Sequence, residues 1–257
     1  MAKKIDKIDI FNKGKIDIVK PRFPTIEEMM ETNKKSSNKK TAIDIKGDII
    51  DQISNNVELV TKVLKDGLKV NAEIENVLKN NSEYKKAKSS KTPKSLLHYQ
   101  KTNDKKNMDK INEDIIESGV ILSIGQEVLH GGLPNTKVGE VIPTTQTLST
   151  TLAPNMAEDN ANYLDKAKDA EELNINILTI KSNNIHAFVY NNKTQKAHEK
   201  EIILEKGLEL VIEERTKVSE TKRVNEDGSE KIISKYLTKI SVKKAWVRKL
   251  NYTRANF

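Results

Sequence analysis

Residues 147–167 read TLSTTLAPNMAEDNANYLDKA, and the order of residue types in that stretch decides the local architecture. Ser149, Thr150 and Thr151 are three successive hydroxyls in an extended segment, the outer two on one side because side chains alternate along a strand. Pro154 then opens a helix, where its missing amide hydrogen costs nothing. Ala157, Ala161 and Leu164 recur at a spacing that faces them inward from that helix. A strand therefore runs straight into a helix. One hydroxyl at the corner is what a helix N-cap needs to satisfy an open amide. That accounts for one of the three and leaves the others to be explained.

Downstream the texture is β-branched and broken by turn residues. INILTI (175–180), IHAFVY (185–190), EIILEKGLELVIEE (201–214) and IISKYLTKISVKKAWV (232–247) predict strands, and NEDGSE (225–230) predicts the turn of a long hairpin. Upstream, Ile50, Ile53, Val57, Val60 and Leu64 fall at the three-and-four spacing of one helical stripe, which Ile74, Val77 and Leu78 resume beyond Gly67. NMDKINEDIIESG places Met108, Ile111 and Ile115 on one face, predicting a helix from about 104 to 118 that ends where Gly119 is free to take positive φ. Helices early and strands late, with no βαβ rhythm, predict an α+β fold with a mainly antiparallel sheet. The division read along the chain is a flexible basic arm at 1–40, containing KPRFP and NKKSSNKK, an amphipathic helical region at 41–82, a lysine-rich linker at 83–103 and one domain at 104–257.

The 257 residues carry 45 Lys and Arg against 37 Asp and Glu, a net charge of +8, and no cysteine, so nothing depends on disulfides. No apolar run approaches the length that crosses a bilayer, and no membrane association is expected. The basic start, MAKKIDKIDIFNKGKIDIVK, lacks the apolar middle of a secretory signal. Most of the charge excess lies between Tyr84 and Lys106, eight lysines against the one acid Asp104. Without interleaved arginines and aromatics such a run reads as a solvated linker; its other reading is a surface for nucleic acid or an acidic partner. His98, His130, His186 and His198 lack the paired spacing of a zinc site, so no metal is expected. There is no GxxxxGKS/T loop, no third glycine to make a dinucleotide turn of Gly131 and Gly132, and no GxSxG elbow. These absences remove the common nucleotide hydrolases, oxidoreductases and serine hydrolases.

In HEKEIIL (198–204), Glu199 and Glu201 stand two apart at the start of an apolar run, and on a strand both carboxylates would share a face. A solvent-facing strand edge has the same pattern. What distinguishes this pair is its company: VLHGG (128–132), TLSTTLAP (147–154) and HEKEIIL follow one another in that order.

LHGG, STT and EKEIILEKG together resemble the motifs of the mono-ADP-ribosyltransferases of bacterial toxins and phages. In that family a strand ends in aromatic-Arg-Gly or His-Gly, Ser-Thr-Ser follows on the next strand, and Glu-x-Glu or Gln-x-Glu opens a later strand followed by LLPxG. The resemblance covers about residues 104 to 247 and implies two packed, mainly antiparallel sheets, preceded by helices, with a cleft for NAD as substrate. It implies that Glu201 bonds a hydroxyl of the nicotinamide ribose and stabilises positive charge as nicotinamide leaves. Ser149 would orient Glu201, and Thr151 would brace the neighbouring strand. Glu199 would align or deprotonate the acceptor, and a glutamate there is similar to the arginine-modifying members. His130, Gly131, Ser149, Thr150 and Thr151 fall at NAD-binding positions.

The first motif departs from the pattern. Arginine-dependent members have Arg where this chain has His130, and an alignment on GL of GGLP falls on Gly131 instead. The diphtheria-like branch has His-Gly there, with the imidazole bonding a ribose hydroxyl; the plain reading of His130 is a satisfied histidine at a strand end. The implied activity is transfer of ADP-ribose from NAD to a protein acceptor, an arginine, with release of nicotinamide. The alternative is a non-catalytic binding or virion-associated protein that keeps the fold. YNNKTQKA (190–197) would meet the protein target, with Phe188 and Tyr190 either anchors on that surface or core aromatics. Richness in Lys, Ile and Asn suggests an AT-rich genome, and a cytoplasmic phage protein and a toxin carried by a separate apparatus both fit.

Overall fold

In KKIDKIDI and KIDI one or two charged residues separate successive isoleucines, a pattern that lets extended chain bury the one and expose the other. The computed structural model describes residues 2–11, 14–20, 48–89, 91–102, 104, 106–191, 199–224 and 228–245. In it Ile5, Ile8, Ile10, Ile16 and Ile18 are buried while Lys3, Lys4, Asp6, Lys7 and Asp9 stay exposed. Strand β1 (Lys3–Lys4) joins the main sheet, and β2 (Ile16–Lys20) pairs with β3 (Asp48–Ile53) in a small second sheet. The flexible arm expected at 1–40 is thus corrected over 2–11 and 14–20; residues 21–47 lie outside the described residues.

The helical stripe also begins later than its spacing implies. Ile50 and Ile53 belong to β3, and helix α1 (Asn56–Asp66) starts only after Asn55, whose side chain accepts the Glu58 amide at 2.9 Å. Gly67, at φ 66°, closes it. Two more helices follow, α2 (Asn71–Asn80) and α3 (Ser82–Ala87).

The stretch 83–103 is not a linker. It contains α3 and α4 (Lys94–Thr102), and α5 (Met108–Ser118) follows. Leu96, Tyr99 and Gln100 point inward at helical spacing while Lys94 and Lys101 stay off that face. Leu96 and Tyr99 form a core cluster with Ile111, Ile115, Phe188, Tyr190 and Ile203. Counting charge concealed this stripe. The end of α5 differs as well: Gly119 has φ −88°, and glycine is needed because a Cβ would lie 2.3 Å from the Ala187 carbonyl oxygen.

The remaining elements are β4 (Val120–Ile121), β5 (Glu127–Gly131), β6 (Val141–Pro143), β7 (Leu148–Thr151), α6 (Pro154–Asn162), α7 (Lys166–Ala170), β8 (Glu172–Ile180), β9 (His186–Val189), β10 (Glu201–Leu204), β11 (Leu208–Val224) and β12 (Glu230–Lys244). The ten-stranded sheet runs β1-β4-β9-β10-β7-β5-β8-β12-β11-β6. It is mainly antiparallel; β1 with β4 and β12 with β8 are the parallel pairs. The β5–β7 junction is one residue pair, Leu129 opposite Thr151, so the ladder divides there into two halves. Ile202 and Leu204 from one half and Ile175, Ile177 and Leu210 from the other share one apolar core. This is the form taken by the two packed sheets.

Helix α6 covers the seam. Asn155 in its first turn accepts the Val70 amide at 2.9 Å and donates to the Leu68 carbonyl at 2.8 Å, fastening the α1–α2 loop to it. Leu164 does not face inward: it has φ 54° and is 74% exposed, because the helix has already ended at Asn162. The 225–230 turn falls partly outside the described residues, but β11 and β12 pair from Leu208 with Lys244 to Val224 with Glu230.

Because α4 is packed, Leu96→Ala is expected to lower unfolding free energy by about 2–5 kcal/mol. Urea denaturation checks this; an unchanged midpoint would mean that the segment is solvated.

Candidate active site

Strand β7 lies against β10 with Ser149 opposite Ile203 and Thr151 opposite Glu201. Side chains on one face of an antiparallel pair meet their opposite and diagonal neighbours, so this register sets Ser149 beside Glu201. The Ser149 hydroxyl donates to Glu201 Oε1 at 2.5 Å. Thr150 donates to the Ile202 carbonyl at 2.6 Å, and Thr151 donates to the Glu199 carbonyl at 2.6 Å. Thr151 Oγ1 also accepts the Ala153 amide at 3.0 Å, but the helix N-cap is Ala153 itself, so none of the three hydroxyls is the capping residue that the corner suggested. Each hydroxyl thus has a separate duty, and Ser149 is the one on the carboxylate.

Glu199 and Glu201 do not share a strand face. Strand β10 begins at Glu201, and Lys200 before it has φ 50°, a left-handed backbone that breaks the alternation. Thr151 holds this turn from one side. From the other, the Lys200 ammonium lies 3.7 Å from Glu75 of α2 and is the largest cause holding the Glu75 carboxyl below its usual range.

The surroundings of Glu201 come from α4 and β9. Glu201 is 9% exposed. The Gln100 side-chain amide donates to Glu201 Oε2 at 3.5 Å, and the Tyr190 hydroxyl donates to the Leu96 carbonyl at 2.8 Å. The Tyr99 and Tyr190 phenols are pushed above their usual value by burial first and by the Glu201 charge second. Phe188 and Tyr190 meet edge to face at 5.3 Å, both buried, so they are core aromatics and not surface anchors. Residues 192–198, with His198 and most of YNNKTQKA, lie outside the described residues. Sequence reasoning missed Gln100 and Tyr99, although Leu96, Tyr99 and Gln100 in LLHYQ have the spacing of one helical face.

His130, near the end of β5, sets Nδ1 2.8 Å from the Ser149 carbonyl oxygen. A nitrogen facing a carbonyl carries the proton, so Nε2 keeps the lone pair and is free to accept. Burial is the main cause that holds this imidazole below its usual pKa, the Ser149 carbonyl opposes it, and the Lys166 charge adds to the lowering. Gly131 has a packing reason of its own: a Cβ there would fall 1.8 Å from the Ala157 carbonyl oxygen of α6. The Asn176 amide donates to the carbonyls of His130 and Gly132 at 3.1 and 2.7 Å, fixing the backbone on both sides. Among the described residues no three His, Asp or Glu side chains are placed to share a metal ion.

No family model matches the chain, and no curated protein matches it. Several solved structures do. Vis toxin, an ADP-ribosyltransferase from Vibrio splendidus, is 10% identical over 90% of this chain and 91% of that chain, with a TM-score of 0.33. C3larvin toxin, an ADP-ribosyltransferase from Paenibacillus larvae, is 13% identical over 86% and 88%, with a TM-score of 0.30. C3stau2 from S. aureus, solved with NAD, is 11% identical over 88% and 99%, with a TM-score of 0.35. Identity this low leaves any functional reading to the site itself.

The lowered pKa of His130 has a consequence for stability. Below the ordinary histidine value of 6.5 the unfolded chain takes a proton that the folded imidazole refuses, so stability falls until the folded ring protonates too. Urea midpoints at about pH 7.5 and 5.5 should differ less in His130→Asn than in the unsubstituted protein.

Proposed function

We propose that this protein is an NAD-dependent mono-ADP-ribosyltransferase that moves ADP-ribose to an arginine of a protein acceptor and releases nicotinamide. The observation that carries this reading is the Ser149 hydroxyl on the Glu201 carboxylate, two groups 52 residues apart in sequence that the β7–β10 register brings together. Nicotinamide leaves NAD as a neutral molecule, taking the electron pair of the bond to C1′, and the ribose carbon becomes oxocarbenium-like. A carboxylate already fixed in place stabilises that charge without reorganising. The acceptor guanidino nitrogen then bonds to C1′ and loses a proton, for which Glu199 is the nearby base. Water in its place gives hydrolysis of NAD.

The diphosphate of NAD needs a cation, and neither alignment of the first motif supplies an arginine. The free Nε2 of His130 is suited to accept from a ribose hydroxyl. The missing arginine favours a second reading, a non-catalytic protein with the same site geometry.

Incubation with labelled NAD and bacterial lysate should label protein and release nicotinamide. Glu201→Ala is expected to lower kcat by about 10²–10³-fold or more with the fold retained. Glu199→Ala should impair transfer more than hydrolysis. Full turnover in Glu201→Ala would remove the mechanism, and calorimetry showing no NAD binding would favour the non-catalytic protein.

A further inference from the structure

A carboxylate held at one oxygen still turns about its last torsion, which for glutamate is a broad, soft rotation. Ser149 holds Oε1 of Glu201. On the Oε2 side lies Gln100, 6% exposed and 101 residues away in sequence, with its amide nitrogen at 3.5 Å. Gln100 is itself anchored: α4 buries Leu96 and Tyr99 in the second core, and Tyr190 of the segment after β9 donates to the Leu96 carbonyl. A chain of packed groups therefore runs from Tyr190 through α4 to the carboxylate. The stretch supplying it, LLHYQ, lies outside the span of the motif resemblance.

We propose that Gln100 is a positioning residue, a donor from α4 that fixes the plane of the Glu201 carboxylate together with Ser149. This rests on the transferase reading for its consequence and on the side-chain geometry for its existence. Glu201 is largely removed from water among aromatic residues, and a carboxylate in such a place retains its charge only with donors to accept from. Taking Gln100 away should therefore disturb the ionisation and orientation of Glu201 while leaving contacts to the substrate in place. The expected signature is on kcat and its pH dependence, with KM little changed.

The experiment has two arms. In the first, NAD hydrolysis is followed across pH for the unsubstituted protein, Gln100→Ala and the isosteric Gln100→Glu, with thermal melting to verify folding. Gln100→Ala should lower kcat about tenfold, change KM less than twofold and move the acid limb of the profile to higher pH. Gln100→Glu, which sets one carboxylate against another, should lose more near neutral pH. In the second arm, the Gln100 side-chain amide signal is followed by NMR during a pH titration without NAD. It should shift in the unsubstituted protein, and that shift should vanish in Glu201→Gln.

An amide shift that persists in Glu201→Gln overturns the proposal, as does unchanged kcat with an unmoved acid limb in Gln100→Ala. A rise in KM alone also overturns it, by making Gln100 a contact to the substrate. If the unsubstituted protein does not turn over NAD at all, the transferase reading fails, and the second arm alone decides whether Gln100 and Glu201 are coupled.

Discussion

Four residue pairs join β7 to β10, and their register is the constraint on which the site depends. Side chains in a sheet alternate, so a slip of one residue would turn Ser149 to the face opposite Glu201. Several features lock that register. Thr150 bonds the Ile202 carbonyl, Thr151 bonds the Glu199 carbonyl, and the buried side chains Ile202 and Leu204 face a core into which only one alignment sends them. The neighbouring strand β5 meets β7 at a single pair, so the seam between the two halves of the sheet lies beside the carboxylate.

Much of this could be read along the chain. The strand-to-helix corner at 147–162 and the late strands follow from β-branched runs, Pro154 and the turn residues between them. The Ser149 and Glu201 contact was legible because each sits in a short motif whose order matched a family pattern. What escaped was burial that local composition disguises. Lysines dominate 83–103, yet a helix needs only one apolar stripe to pack, and Leu96 and Tyr99 supply it. The same misreading affected the first residues, where a charge between isoleucines looked like disorder and was the solvent face of extended chain.

The other corrections share a cause, which is that backbone geometry is set by neighbours distant in sequence. Gly119 is a glycine because Ala187 approaches it, and not because it turns left-handed. Gly131 is a glycine because α6 rests on it, so its place in a motif would be occupied the same way by a protein that never bound NAD. Gln100 reaches the carboxylate through tertiary packing that no short motif encodes.

The left-handed backbone at Lys200 has a further consequence. In an uninterrupted strand the directions of Glu199 and Glu201 would be tied to one pleat, and any change at one would tilt the other. A kink between them separates the two aims. Glu201 keeps the orientation given by the sheet, while Glu199 lies beyond the kink with its carbonyl held by Thr151. A substitution at position 199 should then leave the aim of Glu201 unchanged, because the pairing of β7 with β10 sets that aim by itself.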